Sequence, residues 1–249
     1  MRKLSLLLAS AMLVFSLAAC GTEPTSKQDT PKNKQEETTE NRNLNSLTSN
    51  VEGSWYSDYI EALMECKYNG KLDGYVAEVA GATKDEAQQC HDSTVEYYAY
   101  QLMSYVDVGY DYVSDEVLEN YVDVARKIMA KSSFTVHEGT KVGDDYQVRV
   151  DINPININDL IHDDVAAYID QYNAMIDGTD TSAYTDEQWD ELEDQYATAV
   201  LGIIEEYVSQ IGYKDTVSKV VIIEFDEEGR YGISDNDWYD IDDYIVDMK

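Results

Sequence analysis

Basic residues are scarce in this chain. Its 249 residues hold 18 Lys and Arg against 50 Asp and Glu, a formal net charge of −32 and a pI near 4.1. Such a surface repels phosphates and anionic headgroups, which excludes nucleic-acid binding through a basic face. Cysteine is scarce as well: three residues cannot build a disulfide scaffold. The three histidines, His91, His137 and His162, lack the spacing of a metal pair. There is no Gly-rich phosphate loop and no Gly-x-Ser-x-Gly nucleophile elbow. The one long apolar run, Leu4 to Leu17, falls short of the about 20 residues that a hydrocarbon crossing needs. Phenylalanine is nearly missing, with 3 residues against 21 Tyr. What remains is a chain with 43% hydrophobic residues, enough to pack a core. No motif specifies a reaction, and no catalytic residue, metal ligand or cofactor site is assigned from the sequence.

The apolar run follows Arg2 and Lys3 and ends in Leu17-Ala18-Ala19-Cys20-Gly21. A positive start, a short apolar stretch and small closing residues read as a signal peptide. The closing residues resemble the lipobox of bacterial lipoproteins. That resemblance implies removal of residues 1–19, a thioether-linked diacylglycerol on Cys20 and an outward-facing, lipid-anchored protein. Two acyl chains hold a protein on a bilayer stably where one does not. Residues 20–48 are polar, carry Pro24 and Pro31, and hold only Leu44 and Leu47 as large apolar residues. They bury too little to fold and are expected to be a disordered tether. The acidity belongs to residues 50–249, which carry 12 basic and 45 acidic side chains and all the tyrosines.

Helical spacing opens the folded part. Trp55, Tyr59, Leu63 and Cys66 share a face, and Gly70 follows as a stop. A short helix is expected over Leu72 to Val79. Thr83 with Glu86 matches a capping box, and Ser114 caps a further helix bearing Val117, Tyr121, Ala125 and Ile128. The period then changes to two. Tyr146, Val148, Val150 and Ile152 alternate with Gln147, Arg149 and Asp151, so they form a half-buried strand. Phe134 and Val136 supply its partner across a loop holding Gly139 and Gly143. Ile161 to Ile176 returns to helical spacing. Thr185 with Gln188 opens a helix expected to run through Tyr207 and Ile211 to a stop at Gly212, about 40 Å long. Val217–Phe225, a turn at 226–229 and Arg230–Ser234 read as a second hairpin, and Trp238, Ile241 and Ile245 as a closing helix.

The order of elements gives an α+β fold, with amphipathic helices packed on two hairpins. The hairpins either join into one four-stranded antiparallel sheet or belong to separate halves, 49–154 and 155–249. The lipobox, the tether, the helix end Ala62-Leu63-Met64 to Lys67-Tyr68-Asn69-Gly70 and the strand end Val150-Asp151-Ile152-Asn153-Pro154 resemble a group of small tethered lipoproteins of Gram-positive bacteria. That resemblance implies a location and a fold type, and no reaction. A cystatin-like or NTF2-like sheet wrapped by helices is a related expectation.

Cys66 and Cys90 lie on apolar stripes of consecutive helices, so they either meet as a disulfide or stay as buried thiols. Cys90 and His91 project about 100° apart and do not make a dyad. Asp235, Asp237, Asp240, Asp242 and Asp243 are dense but lack EF-hand spacing. Tyr97, Tyr100, Tyr110, Tyr112 and Tyr239 fall off the apolar stripes, and the first four are the candidate ligand surface. The expected function is a non-catalytic binding or interaction domain, with a wall glycan, a peptide or a membrane protein as partner. The alternatives are a wall or carbohydrate-processing hydrolase using Asp and Glu, and an accessory subunit of a membrane complex.

Overall fold

The computed structural model describes residues 41–79, 82–225 and 231–247. Cys20, the tether up to residue 40 and the turn at 226–229 lie outside the described residues. Seven helices and five strands follow in the order α1 (Asn41–Asn69), α2 (Leu72–Glu78), α3 (Lys84–Tyr105), α4 (Asp115–Met129), β1 (Ser133–Val136), β2 (Thr140–Val142), β3 (Asp145–Asn153), α5 (Ile157–Asp177), α6 (Asp186–Val208), β4 (Val217–Phe225), β5 (Tyr231–Ile233) and α7 (Asp235–Ile245).

The strands form one antiparallel sheet in the order β1-β3-β4-β5, with β2 also on β3. Its centre is the β3–β4 pairing, from Tyr146 opposite Ile223 to Ile152 opposite Val217. The two hairpins therefore share one sheet, the first of the two expected arrangements. Alternation decides the faces. Tyr146, Val148, Val150 and Ile152 of β3 and Val221 and Ile223 of β4 are buried against α1 and α7, while Arg149 and Val220 point to solvent. A one-residue slip would expose this whole set, so burial fixes the register.

The edge of the sheet holds an element that the sequence pattern does not show. β1 and β2 run along the same edge of β3, but residues 137–139 oppose only 148–149. That extra residue is a bulge. β2 has no buried residue and so no apolar alternation to betray it. Gly143, at φ +70°, and Asp144 turn the chain from β2 into β3. At the bulge, α1 presses backbone against backbone: Gly139 N–H donates to Gly53 O at 3.2 Å. The Ser57 hydroxyl closes the clasp, donating to His137 O and accepting from Gly139 N–H, both at 2.8 Å.

Both capping boxes form, at Thr83–Glu86 and Thr185–Gln188, and Ser114 caps α4. Two boundaries differ from expectation. Helix α1 begins at Asn41, so the backbone of residues 41–48 is helical. No proline interrupts 41–69, and a helix nucleated downstream adds one backbone bond per residue as it extends. Helix α6 ends at Val208, about 35 Å after it starts. Gly212 instead lies against the start of α5, its N–H donating to Asn156 Oδ1 at 2.9 Å.

The tyrosines explain why phenylalanine is so rare. Buried rings fill the core and their hydroxyls take up backbone carbonyls that helix packing would otherwise strand. Tyr121 donates to Ala197 O at 3.0 Å, Tyr196 to Val106 O at 2.7 Å and Tyr98 to Asp242 O at 2.7 Å. No helix among the described residues is long and apolar enough to cross a membrane.

Candidate functional site: a polar cleft at the end of the first helix

Helix α1 stops in an αL turn. Gly70 takes φ +67°, Gly70 N–H bonds Cys66 O at 3.2 Å and Lys71 N–H bonds Glu65 O at 3.0 Å. This stop aims Glu65, Asn69 and Lys71 at the turn that leads from α4 into β1. Together with Ala130, Ser132, Ser133 and Phe134 they line a cleft of about 340 Å³. That is within the size range of small-molecule sites, about 300 Å³ and upward.

Most polar groups of this wall hold one another. Lys71 Nζ lies 2.8 Å from Glu65 Oε2, and Asn69 Nδ2 donates to the same carboxylate at 2.8 Å. That second bond fixes the amide orientation and aims Asn69 Oδ1 the other way. Asn69 Oδ1 and Ser132 Oγ are both buried and both lack a hydrogen-bond partner. Leaving such atoms unpaired costs about 1–3 kcal/mol each, so two beside one cleft are unusual. Ser133 Oγ already accepts from Asn153 Nδ2 at 3.0 Å, and its own hydrogen remains to be donated. Phe134 provides the apolar surface, its ring packed edge-on against Tyr68.

Chemically, the wall of the cleft carries one carboxylate, one ammonium, one side-chain amide, two hydroxyls and the edge of the Phe134 side chain, with Asn69 Oδ1 and Ser132 Oγ buried in it. It does not offer a second carboxylate, so the paired acids of glycoside hydrolysis are not assembled here. Among the described residues no group of three or more His, Cys, Asp or Glu is placed to hold a metal ion. The acidic run of α7 is dispersed: Asp237 accepts from Ile222 N–H, Asp240 faces Lys219 and Asp242 pairs with Lys67. The side chain of Asp235 lies outside the described residues.

The four candidate tyrosines stand apart from this cleft. Tyr100 and Tyr110 pack ring to ring at 5.1 Å, Tyr112 lies over Gly109, and Tyr97 packs edge-on against Tyr98. The structure therefore brings two of the four rings into contact, at the junction that leads from α3 to α4. Cys66 and Cys90 are free thiols on neighbouring helices: Cys66 Sγ donates to Ala87 O at 3.4 Å, one turn before Cys90. His91 turns away from Cys90 and meets Lys67 O through Nδ1 at 3.1 Å. His162 lies 3.3 Å from the Tyr105 hydroxyl.

A second polar cluster sits on the open sheet face. Asp151 accepts from the Ser218 hydroxyl at 2.5 Å and faces His137 Nε2 at 2.6 Å, and Arg149 reaches both His137 and Asp151. The residue types are those of a hydrolase triad, but the order is wrong. The carboxylate stands between serine and histidine, so the histidine cannot take the serine proton. The Ser218 and His137 bonds, with Arg149, hold the Asp151 carboxyl below its usual range. A carboxyl lowered in the folded state stabilises the fold above its unfolded pKa of about 4. The contribution is lost as pH falls through the lower folded value. Asp151→Asn should therefore lower stability at pH 7 and match the wild type in strong acid, as read by urea melts across pH. An equal deficit at both extremes would contradict this account.

No protein-family profile matches the chain, and no curated protein sequence matches it with significance. A solved structure does resemble it: ycdA, an inferred lipoprotein of Bacillus subtilis subsp. subtilis strain 168. The TM-score is 0.50 at 14% identity, over 76% of this chain and 55% of that one. The chain thus matches about half the length of that structure, and at this identity the likeness shows a shared fold.

Proposed function

We propose that the chain is a membrane-anchored, outward-facing lipoprotein whose α+β domain binds a neutral, hydroxyl-rich ligand of the carbohydrate class in the α1–β1 cleft. One observation carries the reading: a polar cleft walled by Glu65, Asn69, Lys71, Ser132 and Ser133 beside Phe134, with two partnerless polar atoms, Asn69 Oδ1 and Ser132 Oγ, buried in that wall for a ligand to reach as the side chains adjust. An amide oxygen needs a donor, and a serine hydroxyl can give and take. Sugar hydroxyls supply both, and the C–H face of a pyranose covers an aromatic ring. A net charge of −32 disfavours polyanionic ligands. Anchoring through Cys20 is supported by the lipobox and agrees with a fold shared with an inferred lipoprotein. The domain acts by holding a ligand rather than converting it, since the cleft holds a single, already paired carboxylate.

The test is a melting curve of the intact lipoprotein in detergent, with neutral wall-glycan fragments and with short peptides. A ligand at 100 times its Kd adds about 2.7 kcal/mol of apparent stability. A glycan-dependent rise is expected, and Phe134→Ala should weaken it at least tenfold in apparent Kd. Peptides alone raising the melting temperature, or a glycan response that survives Phe134→Ala and Ser132→Ala together, would overturn the reading.

A further inference from the structure

We infer that Cys66 and Cys90 form a reducible disulfide that ties α1 to α3 in the exported protein, with Cys90 as the sulfur that attacks and is attacked. The inference rests on the proposed location outside the cytoplasm, where disulfides persist. Its geometry is independent of that location.

Three backbone relations bring the pair together. Cys66 Sγ reaches Ala87 O at 3.4 Å, one turn before Cys90 on the same helix. The next residues in each helix are joined as well, through His91 Nδ1 and Lys67 O. Gly70 then lets α3 approach closely: a Cβ there would lie 2.9 Å from His91 Nε2. Residues 66–70 are thus pressed along 87–91, which sets the two free thiols side by side. A bridge needs two Cys on backbone segments held side by side, and these three contacts hold 66–70 against 87–91.

The two sulfurs are not equivalent. Cys66 is fully buried, and its thiol is pushed up by the neighbouring Cys90 thiol and by burial. Cys90 is half-buried, and its thiol is held down by the neighbouring Cys66 thiol, with the Lys67 ammonium helping. A lowered, partly exposed thiol is the reactive one and a buried one resolves. The oxidant is a disulfide of the thiol–disulfide oxidoreductase class. The Cys90 thiolate attacks one oxidant sulfur, and the other leaves as a thiolate. Cys66 then gives its proton to that leaving thiolate or to water and attacks Cys90 Sγ. The first oxidant sulfur departs, so two electrons pass to the oxidant, which ends as a dithiol. The bridge fixes the α1 turn that carries Glu65 and Asn69, and so pre-shapes the cleft.

The experiment is differential alkylation of the intact chain from bacterial membranes, quenched in acid and mapped by peptide mass. The peptides carrying Cys66 and Cys90 should be linked until dithiothreitol is added, and both should label afterwards. The melting temperature should fall on reduction in the wild type and stay unchanged in Cys90→Ser. Two thiols that label without reductant, or a wild type whose melting is indifferent to reductant, overturn the inference. Failure of the anchor reading shows separately, as a chain that takes up no lipid label at Cys20. In that case the same alkylation after incubation with glutathione disulfide still reads the pairing.

Discussion

Asp242→Ala should unfasten helix α7 and lower stability by about 2–3 kcal/mol, roughly a 5–10 °C fall in melting temperature for a domain of this size. The reason is a half-hidden charge with several dependants. Asp242 holds Lys67 Nζ at 2.8 Å and accepts the Tyr68 hydroxyl at 2.7 Å, and its backbone carbonyl takes the Tyr98 hydroxyl. Lys67 and Asp242 are only 18% and 15% exposed, and the ammonium also lies 4.7 Å from the centre of the Trp238 ring. Removing the carboxylate strands an ammonium among aromatic rings and orphans a buried tyrosine hydroxyl. The cost of a broken buried pair is about 3–5 kcal/mol, discounted here because water still reaches both groups. Lys67→Met should cost less than Asp242→Ala, and the double variant should lose less than the two single changes added together. Additive losses in denaturant melts would mean that the pair does not act as a unit.

Gly53→Ala should also destabilise, by about 2 kcal/mol, although alanine is the better helix former. Two effects oppose each other. Helix propensity favours alanine by about 1 kcal/mol. A Cβ at Gly53, however, would lie 2.4 Å from the Gly139 carbonyl oxygen, and a backbone atom cannot swing aside. The helix and the bulge must separate, at about 1–3 kcal/mol for overpacking plus the weakened Ser57 bonds at about 1 kcal/mol each. Gly202→Ala is the control. It lies exposed in α6 with nothing near its Cβ position, and should gain up to about 1 kcal/mol. A stabilised Gly53→Ala variant would mean that α1 does not press on the bulge.

How much of this was legible in the sequence follows from what kind of signal each feature leaves. Capping boxes are local, and Thr83–Glu86 and Thr185–Gln188 were readable as written. The β3 alternation was readable too, because one of its faces is buried. That the two hairpins fuse was left open, since β3 and β4 pair across the whole of α5 and α6 and nothing local encodes that partnership. The cleft left no signal at all. Its wall joins the end of α1 to the start of β1, and its polar residues look like surface until the fold buries Asn69 Oδ1 and Ser132 Oγ. The Asp151 cluster has the same history: Ser218 is opposite Asp151 only once the register is set. The tyrosines that fall off the apolar stripes mark an exposed surface, while the Tyr98, Tyr121 and Tyr196 hydroxyls bond inside the fold.

The measurement that tests the central claim most directly is a nitrogen-resolved NMR titration of the intact protein in micelles with a neutral oligosaccharide. The account predicts saturable shifts at the Asn69 side-chain amide and at the backbone amides of Ser132, Ser133 and Phe134. It predicts little change at Tyr97, Tyr100, Tyr110 and Tyr112. Shifts confined to those tyrosines, or none anywhere at millimolar sugar, would contradict it.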